Sequence, residues 1–223
     1  KQNVWSRVDK VDHHVYNPCV VLKCIILYGE KYMKKLILTD CDGVLLNWEF
    51  AFDCWMEEHG FTCKTRLDYD IGIRYGISRE QATQLIKVFN ESAAIGFLPP
   101  LRDAMYYVKK LHEEHGYIFH VITSLSTNQY AKKLRVKNLE KLFGTAIEDV
   151  VCLATGADKD DALEPYRNSG LFWLEDKEEN AVLGHEYGLK SLLVEHGHNM
   201  DHTVVPIVKN WKEIYDIVIE SEG

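Results

Sequence analysis

The stretch KKLILTDCDGVLLNWE, residues 34 to 49, constrains this chain more than any other. Leu36-Ile37-Leu38 is apolar without alternation, as in a strand covered on both faces. It runs directly into Asp40-Cys41-Asp42-Gly43. Two carboxylates and a glycine at the end of a buried strand make either a turn, which Asp and Gly both favour, or a chemical site. The motif alone does not choose between them, so the rest of the chain has to.

From Met33 onward, apolar strand-like runs alternate with helical periods. Strands are expected at 35–39, 117–123, 150–154, 171–176 and 191–196. Helices are expected at 47–59, 78–92, 101–115, 127–143, just after Lys159, at 178–187 and at 210–220. Ser78 is a plausible N-cap with Gln81 at the capping-box position, and Ala82, Leu85, Ile86 and Phe89 share one face. Leu101, Met105, Val108 and Leu111 form a second stripe, stopped by Gly116. Trp211, Ile214, Tyr215 and Val218 align in the last helix. Such alternation implies βαβ units. The expected class is α/β: a Rossmann-like three-layer core with a mostly parallel sheet.

The stretch 48–98 interrupts this pattern with helices and no clear strand. It reads as a small helical cap inserted after the first strand, leaving 33–47 and 99–223 as the core. Residues 1–32 show neither period. Either 19–28 forms an extra strand, or the natural start is Met33; the reading adopted is an N-terminal extension outside the core.

The 223 residues carry a net charge of −8 and no dense Lys/Arg block. That argues against a nucleic-acid polymer as partner and against anionic membranes. The longest apolar run, 19–28, is too short to span a bilayer and is broken by Lys23. The six cysteines form no CxxC pair, which points to free thiols in a reducing, cytoplasmic setting. An acidic chain also repels a phosphorylated substrate, so binding one requires a local cation.

In open parallel sheets, ligands bind outside the carboxyl ends of the strands. Those ends carry Asp40 and Asp42, then Thr123-Ser124, then Lys159, then Glu175-Asp176. Singly, each has a bland reading: a turn, a satisfied hydroxyl, a solvated lysine, a helix cap. Their ordered placement at four strand ends argues for one site. His196, His198 and His202 raise the thought of zinc, but without a cysteine or a helix-spaced pair they read as solvent-facing loop residues.

That order resembles the haloacid dehalogenase (HAD) superfamily of phosphotransferases, which runs strand-DxDG, strand-[TS], Lys, strand-acidic pair. The resemblance covers residues 33 to about 200 and includes the helical cap. It implies Asp40 as the nucleophile forming an aspartyl-phosphate, and Asp42 as general acid and then base. It implies Thr123 as a phosphoryl ligand, with Ser124 the runner-up, and Lys159 as the neutralising cation. A phosphate facing carboxylates at about 4 Å is repelled by roughly 4 kcal/mol per charge pair at an effective dielectric near 20. Mg²⁺ would cancel this. By resemblance its ligands are Asp40, the Asp42 carbonyl and Asp176, with Glu175 holding a metal-bound water.

DCDGVLLNWEFAF and FLPPLRDAMYYVKKL further resemble the 5′(3′)-deoxyribonucleotidases of that superfamily. Trp48 then falls where an aromatic lies near the base, either stacking on it or packing the cap on the core. Glu at 175 departs from that group's double Asp. The implied function is a Mg²⁺-dependent phosphomonoesterase acting on a small phosphorylated metabolite, with a nucleoside monophosphate foremost. A phosphomutase or phosphoryl transferase acting on a sugar phosphate, and a non-catalytic binding domain on the same fold, stand as alternatives.

Overall fold

A computed structural model describes residues 35–201 and 204–222. The N-terminal extension, the candidate strand at 19–28 and His202 lie outside them. Among the described residues no helix is long and apolar enough to cross a membrane.

The centre is a six-stranded sheet in the order β3-β2-β1-β4-β5-β6. Its strands are β1 Leu36–Thr39, β2 Ile118–Ser124, β3 Ile147–Leu153, β4 Phe172–Glu175, β5 Lys190–Val194 and β6 Ile207–Val208. Every pairing is parallel, so the mostly parallel sheet of the sequence reading is parallel throughout. β1 is fully buried along its length, as its unbroken apolar run requires. Its residues divide between two cores. Ile37 packs with Phe119, Leu174, Val108 and Ile214 on one face. Leu36 and Leu38 pack with Ile122, Leu163 and Trp173 on the other. Each such aliphatic side chain contributes about 1.5–3 kcal/mol by leaving water, and two covered faces make three layers.

Chain order reverses across β1. The strands run outward through β2 and β3, then return to the other side as β4, β5 and β6. Thr39 is level with Val121 and Leu174, so the ends of β1, β2 and β4 open on one edge. This is the switch point at which open parallel sheets bind ligands.

The helices are α1 Trp48–Glu58, α2 Ile71–Tyr75, α3 Arg79–Asn90, α4 Ala104–His115, α5 Gln129–Phe143, α6 Asp160–Leu163, α7 Glu178–Glu186 and α8 Trp211–Glu220. The first three fill the stretch after β1. Asn47 caps α1 by accepting from the Phe50 N–H, and Ser78 caps α3 by accepting from Gln81. The two connections of this insert pair with each other: Asn47 N–H donates to Pro99 O at 2.8 Å, and Leu101 N–H to Leu45 O at 2.9 Å.

Three expectations need correction. Met105 is 42% exposed, because α4 starts only at Ala104 and its buried stripe is Ala104, Val108 and Leu111. β3 begins at Ile147, three residues early. As an edge strand it tolerates the exposed Glu148 and Asp149 that hid it. β6 was not anticipated: two residues after Pro206 show no period, and proline is accepted on a sheet edge.

Candidate active site

The site is assembled from the strand ends upward. Asp40 follows β1, 8% exposed, with its N–H donating to Leu174 O at 2.8 Å. The chain then turns at Gly43, which has φ +75°. A side chain here would be strained, and a Cβ would also meet Asp176 Oδ2 at 2.2 Å. Glycine is therefore required twice: once for the turn and once for the approach of the acidic pair.

Lys159 is 1% exposed. Its ammonium lies 2.9 Å from Asp40 Oδ1 and 2.6 Å from Glu175 Oε1. Glu175 is saturated. Oε1 accepts from Lys159 and from Asn180 Nδ2, while Oε2 accepts from the Asp176 and Lys177 N–H groups. It anchors the lysine and shapes the turn after β4. The ion pair does not satisfy Asp40 Oδ1, which is buried and accepts no hydrogen bond of good geometry.

Oxygens of Asp40, Glu175 and Asp176 lie within 4.8 Å of one another, with one lysine among them. Burial, opposed by Lys159 and reinforced by Glu175 and Asp42, raises the Asp40 carboxyl to about 7. Burial, Glu175 and Asp40 raise Asp176 well above the carboxylate range. Glu175 goes the other way: burial would raise it, but Lys159 and its hydrogen-bond donors outweigh that and lower it. Two clustered carboxyls that resist ionisation, one with an oxygen that accepts no well-aligned hydrogen bond, fit a hard divalent cation held by Asp40 and Asp176.

Asp42 lines the same cavity, but both of its oxygens accept from Arg135 on α5, one of them from Nη2 at 3.0 Å. Thr123 is buried on the cavity wall, and its hydroxyl has no partner among the described residues. Ser124 donates its hydroxyl to Ala157 O at 2.9 Å, so of the two candidates Thr123 has the free donor. Trp48 stacks on Phe52 at 4.5 Å and donates its indole N–H to Asn90 Oδ1 at 2.9 Å. It packs the insert and lines the cavity as well.

The cavity measures about 380 Å³, and Tyr69, Ile71, Arg79 and Ile86 of the insert contribute to its lining. That is the size of a small-molecule site. The side chain of Arg79 makes no ion pair among the described residues, and it adds a cation to the cavity lining beside Lys159, Arg74 and Lys177.

His196 and His198 are not turned to solvent. His196 Nε2 donates to Gly43 O at 2.7 Å, and His198 Nε2 lies 3.3 Å from Asp176 O. Their rings stack at 5.5 Å, and burial lowers the His196 pKa. Both brace the backbone of the two acidic turns.

The reading of His196 and His198 as solvent-facing is thereby corrected, and sequence reasoning missed Arg79, Asn90 and Arg135. Only Arg135 had a legible signal. It falls on the stripe Ala131, Asn138, Leu139 and Phe143, all buried on α5, and an arginine on a buried stripe implies a buried anion.

No protein-family model matches the chain. A 32.4 kDa uncharacterised protein from the Gp30-rIII intergenic region of Enterobacteria phage T4 is 27% identical over 136 residues, 58% of this chain and 48% of that protein. The chain thus spans about half the length of this curated relative. Among solved structures, a HAD family hydrolase from Deinococcus radiodurans R1, with bound phosphate and sodium, aligns at TM-score 0.52 and 14% identity over 84% of this chain and 96% of that one. A haloacid dehalogenase-like hydrolase from Burkholderia xenovorans LB400 aligns at TM-score 0.51 and 13% identity over 83% and 96%. At such identities the likeness is one of fold, and the fold is that of the HAD-like hydrolases.

Proposed function

We propose that this chain, on its HAD-like α/β fold, is a magnesium-dependent phosphomonoesterase. In this reading it acts through an aspartyl-phosphate on Asp40, and nucleoside monophosphates are the substrates to test first. The observation that carries the reading is the state of Asp40: buried, ion-paired to Lys159, within a cluster of three carboxylates, and lining the cavity.

The residues divide the work. Asp40 attacks phosphorus as the carboxylate, the form that the Lys159 ammonium beside it favours. Lys159 neutralises charge between nucleophile and phosphoryl group, and the free Thr123 hydroxyl donates to a phosphoryl oxygen. Asp42 protonates the leaving oxygen and then takes a proton from the water that releases phosphate. Asp40, the Asp42 carbonyl and Asp176 would hold Mg²⁺, which when bound offsets the repulsion between the carboxylates and a phosphate dianion. The helical insert 48–98 acts as a cap that limits substrate size and excludes water, and Trp48 and Arg79 line its inner side.

The test is turnover of nucleoside monophosphates, sugar phosphates and p-nitrophenyl phosphate with Mg²⁺, with Asp40→Asn as control. Asp40→Asn should abolish turnover while leaving the far-UV spectrum intact. Full activity in that variant would remove the assigned nucleophile. Transfer of labelled phosphoryl to a hydroxyl compound instead of water would make the protein a transferase. Inactivity across the panel would favour a binding domain.

A further inference from the structure

We propose that Arg135 is a positioning residue that aims Asp42 at the leaving group; the inference rests on the phosphatase reading above. Arg135 is completely buried on α5. Nη1 donates to Asp42 Oδ1 and, at 2.8 Å, to Cys41 Sγ, while Nη2 donates to Asp42 Oδ2 at 3.0 Å. A planar fork gripping both oxygens stops rotation of the carboxylate, which a single-point lysine does not do. The Asp42 side chain keeps 23% exposure, on the wall of the cavity. It is clamped on one side and open to substrate on the other.

Packing alone does not account for this residue. Burying a guanidinium is costly, its Nε has no hydrogen-bond partner, and an apolar side chain of similar volume commonly serves stability as well or better. The helix that carries it is also a fixed base. Ala131, Leu139 and Phe143 seat α5 in the core. One turn on, Asn138 Nδ2 donates to Leu98 O at 3.0 Å, tying down the segment by which the insert returns. α5 therefore holds both Asp42 and the end of the insert.

Aim matters because Asp42 has two transfers to make. As Asp40 bonds to phosphorus and the ester P–O bond breaks, the leaving oxygen takes the Asp42 proton. Water oxygen then bonds to phosphorus, the Asp40–phosphorus bond breaks, and the water proton returns to Asp42. Each transfer needs heavy atoms within about 2.6–3.2 Å.

The experiment is a double-mutant cycle on the full chain, with an alkyl phosphate and p-nitrophenyl phosphate as substrates and with folding checked by circular dichroism and melting. Arg135→Met should lower kcat about 10- to 100-fold, as expected for a misplaced group, with KM within about threefold. Arg135→Lys should fall between it and wild type. On the Asp42→Asn background, Arg135→Met should cost no more than about twofold further, since residues acting as a unit are non-additive. An equal loss on both backgrounds, an effect on KM alone, or unchanged kcat would overturn the proposal. If Arg135→Met does not fold, the same cycle with Arg135→Lys decides. If the wild type itself turns over neither substrate, the phosphatase reading fails and takes this inference with it, an outcome distinct from failure of the cycle.

Discussion

At the scale of single residues, the site is specified as much by what is missing as by what is present. Gly43 combines a left-handed φ of +75° with a position where a Cβ would meet the Asp176 carboxylate at 2.2 Å. Gly43→Ala is expected to cost about 1–2 kcal/mol from the backbone alone. Because it also displaces Asp176, it should lower turnover about 100-fold. Urea melts and steady-state kinetics on one preparation would separate the two effects. Near-normal activity at reduced stability would mean that Asp176 is not part of the working site.

At the scale of elements, the insert shares one apolar core with the sheet through Phe52, Phe89 and Ile95, and a few polar contacts add to that. Asn90, at the end of α3 and 3% exposed, accepts from Trp48 Nε1 and donates to Leu125 O at 3.2 Å, just past the Thr123-Ser124 strand end. Ser126 Oγ adds a bond to Glu91 at 2.8 Å. Asn90→Ala leaves the indole donor unpaired, while Leu125 O keeps its bond from Thr155. The expected loss is about 1–3 kcal/mol, read by chemical denaturation. A change under about 0.5 kcal/mol would show that water replaces Asn90 freely.

At the scale of the whole molecule, the acidic cluster works against stability. Asp40, Glu175 and Asp176 crowd around one lysine, so the metal-free fold carries uncompensated repulsion. Asp176→Asn should melt at a higher temperature than the wild type without metal. Magnesium at about 100 times its Kd should add about 2.7 kcal/mol to the wild type and little to the variant. Calorimetry with and without Mg²⁺ checks both. An equal magnesium shift in the two proteins would place the cation elsewhere.

Much of this was readable in the chain by itself. Hydrophobic period located β1, β2, β4, β5 and the longer helices, because two-sided burial forces a continuous apolar run and one-sided burial a helical stripe. The DxDG turn, Thr123, Lys159 and Glu175-Asp176 could be placed because strand ends in a parallel sheet share one edge. Only the tertiary structure decided which groups meet there. The clamp on Asp42 comes from a residue 93 positions away, and the brace on Gly43 from one 153 positions away. Contacts of that range leave no local period. They exist because the sheet brings remote segments to one edge, where each buried polar group has to find its partner.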